Sequence, residues 1–257
     1  MTASNEQSEF AGGDLDAHER VLRTDLAAAF RLAASFDWIE SVGNHFSAVV
    51  SQARGTFLMN PRWKHFSLIC ASDLLLLDWN DSETMARPDA PDLSGWCIHS
   101  QVHALVPNAN VILHAHPPYA TALAGLADPT LKPIEQVTAR FFKRVATDLS
   151  FDGVANNEGE GRRIADAVGT SSILMMGNHG VTAVGATVAE AFEELYLFER
   201  ACRTMVLAYS TGQPLNVMSN DVAEQTALGW AECHDMAFAH FQQLKAKLDH
   251  TDPQYSL

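Results

Sequence analysis

Apolar positions near the start of the chain recur every three to four residues. Leu22, Leu26, Ala29, Phe30, Ala33 and Phe36 share one helical face, which predicts an amphipathic helix ending near Asp37. The pattern then shortens. Residues 47–51 and 56–60 flank Gln52-Ala53-Arg54-Gly55 and read as a hairpin. Residues 74–79 read as a strand stopped by Asn80-Asp81-Ser82. His99, Val102, His103 and Val106 share one face of a helix that ends at Pro107-Asn108. Residues 111–116 form a strand, 119–126 and 133–142 are helical, 145–149 is a strand and 159–168 a helix. Two more strands, 172–176 and 181–184, are joined by Gly177-Asn178-His179-Gly180. The last third is helical. Thr187 to Glu190 is a capping box opening a long helix that Gly212 ends, and Asp221 to Glu224 is another, opening a final helix to about Asp249. Residues 1 to about 13 are small and polar and predict a disordered tail. Residues 14–257 then form one domain of the α+β or three-layer α/β kind, because the strands are short and lack a regular βαβ rhythm.

Composition narrows the function classes. The chain has 257 residues, enough for a large core in one domain or two, and its 47% hydrophobic content excludes disorder as the main state. A net charge of −14 argues against nucleic acid, whose phosphates need a positive surface. Cys70, Cys97, Cys202 and Cys233 are far apart and form no metal-binding pair, so they are expected to be buried free thiols. There is no secretory pattern and no apolar run of about 18 residues, which predicts a soluble, cytoplasmic protein without a membrane partner.

The strongest chemical signal is His114-Ala115-His116. On a strand, positions i and i+2 project to one face, so both imidazoles can converge on one point. A third ligand must come from elsewhere, and His179, in a tight turn after an apolar strand, is the best candidate. Three neutral histidines leave positions open on a divalent ion, which is the catalytic pattern. His99 and His103, one helical turn apart, are a rival pair that fits packing or support of the site better.

Three segments carry a family resemblance. They are Trp96-Cys97-Ile98-His99-Ser100 with Val111 to Leu123, Gly177-Asn178-His179-Gly180 with Glu190-Ala191-Phe192, and Gly43-Asn44-His45-Phe46-Ser47. Together they resemble the class II aldolase/adducin family from about residue 17 to about residue 212. The resemblance implies an α/β fold of three layers, with a central mixed sheet covered by helices on both sides. It implies a homo-oligomer, often a tetramer, with sites at subunit interfaces. It implies a divalent metal, zinc before manganese or iron, held by His114, His116 and His179, acting as a Lewis acid on an enediolate formed when a C–C bond breaks.

Two departures qualify the resemblance. Aldolases of the family carry a glutamate four residues before the histidine matching His99; here that position is Gly95, which can neither move a proton nor place a charge. The same loss resembles the adducin-like branch, as do Phe66-Ser67 and Ala71 to Leu74. Of the phosphate-binding parts, Gly43-Asn44 and Ser94 remain, but the middle loop reads Asn60-Pro61-Arg62-Trp63-Lys64-His65. That loop is either a solvated basic loop or a carboxylate-binding wall built from Arg62 and Lys64. Glu135-Gln136 either faces the pocket of a neighbouring subunit or forms a solvated first helical turn. Arg140, Lys143 and Arg144 read as a solvated helix face or subunit contact. Two functions follow: a metal-dependent lyase for a small hydroxy- or oxo-acid, by aldol cleavage or decarboxylation, or a non-catalytic adducin-like scaffold that keeps the fold.

Overall fold

The structure, a computed structural model, describes residues 12–150, 153, 157–233 and 235–257. The chain opens with helix α1 (Gly12–Ser35) and the hairpin strands β1 (His45–Ser51) and β2 (Thr56–Met59). Strand β3 (Leu75–Asp78), helix α2 (Leu93–Leu105) and strand β4 (Val111–Ala115) follow. Next come helices α3 (Pro118–Ala124) and α4 (Gln136–Arg140), strand β5 (Val145–Asp148), helix α5 (Glu158–Val168), and strands β6 (Ile173–Met176) and β7 (Val181–Gly185). Helices α6 (Val188–Ser210), α7 (Asn220–Ala231) and α8 (Asp235–Thr251) complete the order.

The seven strands form one mixed sheet in the order β3-β2-β1-β4-β7-β6-β5, antiparallel except for the β5–β6 pair. Side-chain alternation divides its faces. Phe46, Ala48, Leu58, Leu113, Met175 and Ala183 face the layer built on α1, α3, α6 and α8. Ile112, Leu174, Met176 and Val184 face the other way, against Ile98 and Val102 of α2 and Ile164 and Val168 of α5. The expected three-layer α/β architecture is therefore present. β4 is buried along its whole length, as an apolar central strand with both faces covered must be.

Caps set the helix ends. Asp92 accepts from the Ser94 and Gly95 N–H groups to start α2, and Thr187 accepts from Glu190 N–H to start α6. Several expected bounds are corrected. The helix predicted over 133–142 shrinks to α4, closed by Lys143 at φ 58°. The final helix is two, and its cap is Ser219, which accepts from Val222 N–H, rather than Asp221. The break lets α8 fold back and place Phe241 against Phe192, ring centroids 5.5 Å apart. The expected tail falls mostly on residues 1–11, outside the described residues, and Gly12 and Gly13 belong to α1. Arg140 is not solvated: it is buried and pairs with Glu194 at 2.5 Å, while Arg144 reaches the same carboxylate and Lys143 pairs with Glu224. Cys97 and Cys202 are buried thiols, Cys70 is half-buried and Cys233 is exposed. No described helix is long and apolar enough to cross a membrane.

Candidate metal centre

The topology brings three histidines to one end of the sheet. β4 pairs antiparallel with β7 in the register His114↔Thr182, so the turn that enters β7 lies beside the residues that leave β4. That turn carries His179, after Asn178 in a left-handed conformation at φ 55°. The ligand atoms of His114, His116 and His179 lie within 4.8 Å of one another, and together they could hold one ion. Gly180 permits the approach: a Cβ there would stand 2.4 Å from His116 Cδ2 and 2.7 Å from the Ala115 carbonyl oxygen.

Hydrogen bonds fix how the rings present themselves. His116 Nδ1 lies 2.7 Å from Glu40 Oε2, a carboxylate oxygen that only accepts, so Nδ1 carries the proton. His114 Nδ1 lies 3.2 Å from Thr182 Oγ1, and a Thr182 hydroxyl turned to Met176 Sδ, 3.5 Å away, accepts from it. The two Nε2 atoms lie 3.2 Å apart. With both rings in the neutral, Nδ1-protonated form their lone pairs face each other and repel unless a cation sits between them, and in that form the donor set fits a divalent ion. Burial pushes His179 down to about 4, helped by His116 and opposed by Glu40. Burial also holds His114 well below the usual range. Neutral imidazoles at pH 7 are what a metal needs.

A second group of polar side chains backs this centre. His45 stacks on His114, ring centroids 4.8 Å apart and 23° from parallel. His45 Nδ1 lies 2.8 Å from His99 Nε2, His99 Nδ1 pairs with Ser47 Oγ, and Ser47 Oγ lies 2.6 Å from His103 Nε2. His103 Nδ1 ends the series on the Ala109 carbonyl at 2.7 Å. All four side chains are buried. Gly95 borders them. A Cβ at residue 95 would meet Met59 Cε at 2.3 Å and two His45 ring atoms at 3.0 Å, so a side chain there requires the Met59 methyl and the His45 ring to shift. Gly95→Glu should therefore destabilise the fold by about 1–3 kcal/mol through overpacking alone, with burial of the carboxylate adding to it. A thermal midpoint equal to wild type would show that Met59 and His45 give way.

Comparison with known proteins decides the relationship. The Class II Aldolase and Adducin N-terminal domain family matches residues 24–206. The chain belongs to the class II aldolase/adducin family. A Caulobacter vibrioides protein, provisionally named an aldolase class 2 protein, is 31% identical over 250 residues, 95% of each chain. The decarboxylase NovR of Streptomyces niveus is 28% identical over 182 residues, 68% of this chain and 67% of NovR. A solved aldolase II superfamily protein from Pseudomonas syringae superposes with a TM-score of 0.83 at 28% identity, covering 96% of this chain and 100% of that one.

Within this class II aldolase/adducin member, the sequence-expected substrate residues meet different fates. Asn44 is buried beside the centre. Its Oδ1 accepts from Glu40 N–H at 2.6 Å, while its Nδ2 is a buried donor with no partner. Ser94 is half-buried and its hydroxyl donates to Asp92 Oδ1 at 2.6 Å. Lys64 forms an ion pair with Asp73 at 2.6 Å and Arg62 is exposed, contacts that match the solvated-loop alternative within one chain. A lysine in an acidic chain finds a nearby carboxylate first. Glu135 accepts from the Val137 and Thr138 N–H groups and caps α4, so both its oxygens are engaged, and Gln136 is exposed. Sequence reasoning missed Glu40, Thr182 and His45. His45 and Ser47 alternate with the apolar Phe46 and Ala48, a period-two signal that could have placed them on the His114 face. Glu40 lies in a loop and carries no such signal.

Proposed function

We propose that this chain is a metal-dependent carbon–carbon lyase for a small hydroxy- or oxo-acid, working by aldol cleavage or decarboxylation. His114, His116 and His179 would hold the ion, Zn2+ first, with Mn2+ or Fe2+ as alternatives. One observation carries the reading: three imidazoles, with His116 Nδ1 held by Glu40 and His114 Nδ1 beside Thr182, converge on a shared point. An ion bound there supplies Lewis-acid charge for an oxygen that becomes anionic as the C–C bond breaks.

The remaining roles belong to the chain. Glu40 and Thr182 orient the ligand rings. Asn44 Nδ2, a buried donor without a partner, offers an N–H to a substrate oxygen, and Ser94 offers a hydroxyl at the start of α2. Gly95 provides no carboxylate to take a proton. Decarboxylation suits such a site better than aldol cleavage, because loss of CO2 needs no base to begin it. The name of the Streptomyces relative supports the same choice. The reading includes a cytoplasmic homo-oligomer, with a tetramer favoured; a sedimentation mass equal to the monomer at micromolar concentration would remove the assembly.

The test is a panel of small 2-oxo and 2-hydroxy acids given to zinc-loaded protein, with CO2 and aldehyde both measured. The expected result is CO2 release that disappears in His114→Ala. Full metal occupancy with no product from any acid would overturn the lyase and favour the second reading, a non-catalytic scaffold. That reading draws on the missing carboxylate at Gly95 and on human beta-adducin, 28% identical over 215 residues, of which this chain covers 29%.

A further inference from the structure

The buried series behind the metal centre has one possible direction. The Ala109 carbonyl can only accept, so His103 must donate from Nδ1. A neutral His103 then has a bare Nε2, which must accept the Ser47 hydroxyl proton. Ser47 has no second proton, so its oxygen accepts from His99 Nδ1. His99 in turn has a bare Nε2, which accepts from His45 Nδ1. The assignment requires His99 and His103 to be neutral. Burial ensures this, driving His103 down to about 4 and His99 well below the usual range. Four links thus put a proton on His45 Nδ1, so that the neutral His45 ring carries its lone pair on Nε2.

The position of that lone pair gives it a use. The His45 ring lies flat against His114. Its Cδ2 edge, next to Nε2, faces Gly95 at the start of α2, 3.0 Å from where a side chain at that residue would begin. Among the described residues His45 Nε2 has no hydrogen-bond partner. We propose that Ser47, His99 and His103 form a one-way hydrogen-bond chain that fixes the tautomer of His45, so that His45 Nε2 accepts a hydrogen bond from a ligand hydroxyl beside the histidine triad. His45 is then a binding residue, and Ser47, His99 and His103 are positioning residues acting through it. The tautomer chain stands on the hydrogen-bond geometry together with the neutrality of the buried His99 and His103 rings. The ligand class, a small hydroxy acid, rests on the lyase reading above.

Neutral histidine in water favours the proton on Nε2, so three Nδ1-protonated imidazoles in series make a distinctive signature. Metal-free protein labelled with 15N in its histidine rings reads it directly by NMR. The His45 signals are assigned by their disappearance in His45→Gln. The expected spectrum shows an unprotonated Nε2 for His45, His99 and His103. Ser47→Ala should return His45 to the Nε2-protonated form or a mixture, while His103, still bonded to Ala109, keeps its proton on Nδ1. A wild-type His45 protonated on Nε2 overturns the proposal, even if Ser47→Ala fails to fold. So does a Ser47→Ala spectrum in which His45 is unchanged. In zinc-loaded protein, glycolate should move the His45 Nε2 signal and acetate should not. A His45 signal that stays put while glycolate moves His114 overturns the acceptor role. If neither residue responds, the hydroxy-acid ligand is overturned together with the lyase reading, whatever the metal-free spectrum shows.

Discussion

Metal-free protein should lose its fold steeply as the pH falls from 6.5 toward 4. Burial lowers His45, His103 and His179 to about 4 and holds His99 and His114 well below the usual range. Each folded-state value lies below the unfolded one, so in this window the unfolded chain binds more protons. The stability is fully present above pH 6.5 and is lost as pH falls toward the folded values. Each group contributes a slope of up to about 1.4 kcal/mol per pH unit, so the five together supply up to about 7 kcal/mol for each unit the pH falls. That compares with a total stability of about 5–15 kcal/mol for a typical domain. Glu199 acts in the opposite sense. Burial raises it to about 7, so its contribution grows as pH falls from 7 toward its unfolded value, but it is one group against five. Urea midpoints at half-unit pH steps check the balance. A midpoint that stays flat from pH 7 to 4.5 would refute it. Added zinc should move the acid transition to lower pH, since an ion bound to neutral imidazoles competes with protons.

The second large effect is metal content. Protein purified without chelator should carry about one transition-metal ion per chain, and His116→Ala should carry almost none, because two imidazoles make a weak site. Atomic emission on protein of known concentration reads the ratio. Glu40→Gln should weaken zinc binding by about 10–100-fold, as loss of the carboxylate that orients a ligand histidine does elsewhere. Gly180→Ala should also weaken it, because its Cβ would displace His116. Equal zinc binding by wild type and His116→Ala would refute the ligand assignment.

Legibility in the sequence followed the range of the interaction. The strands, α1, α2, α5 and α6 were readable because their periodicity and caps are local, and the clustering of the three histidines was partly readable because His114 and His116 share a strand face. The split between α7 and α8 was not, since residues 221–249 are compatible with one helix and only the docking of Phe241 on Phe192 requires two. Glu135 and Lys64 were open to a binding role in the sequence. Their partners, the backbone of α4 and Asp73, became visible only in three dimensions.

The amino-acid order alone thus determined the layer architecture, the family and the three histidines, because hydrophobic period, capping and strand alternation act over a few residues. Tertiary structure decided what surrounds those histidines. Pairing β1 beside β4 placed His45 on His114, and packing α2 over that face brought His99 and His103 to Ser47. It also brought Met59 and His45 against Gly95. Those contacts join residues some 36 to 69 positions apart, counted from Met59 to Gly95 and from His45 to His114. Such distances lie beyond any local pattern, so only the register of the sheet and the docking of the helix set them.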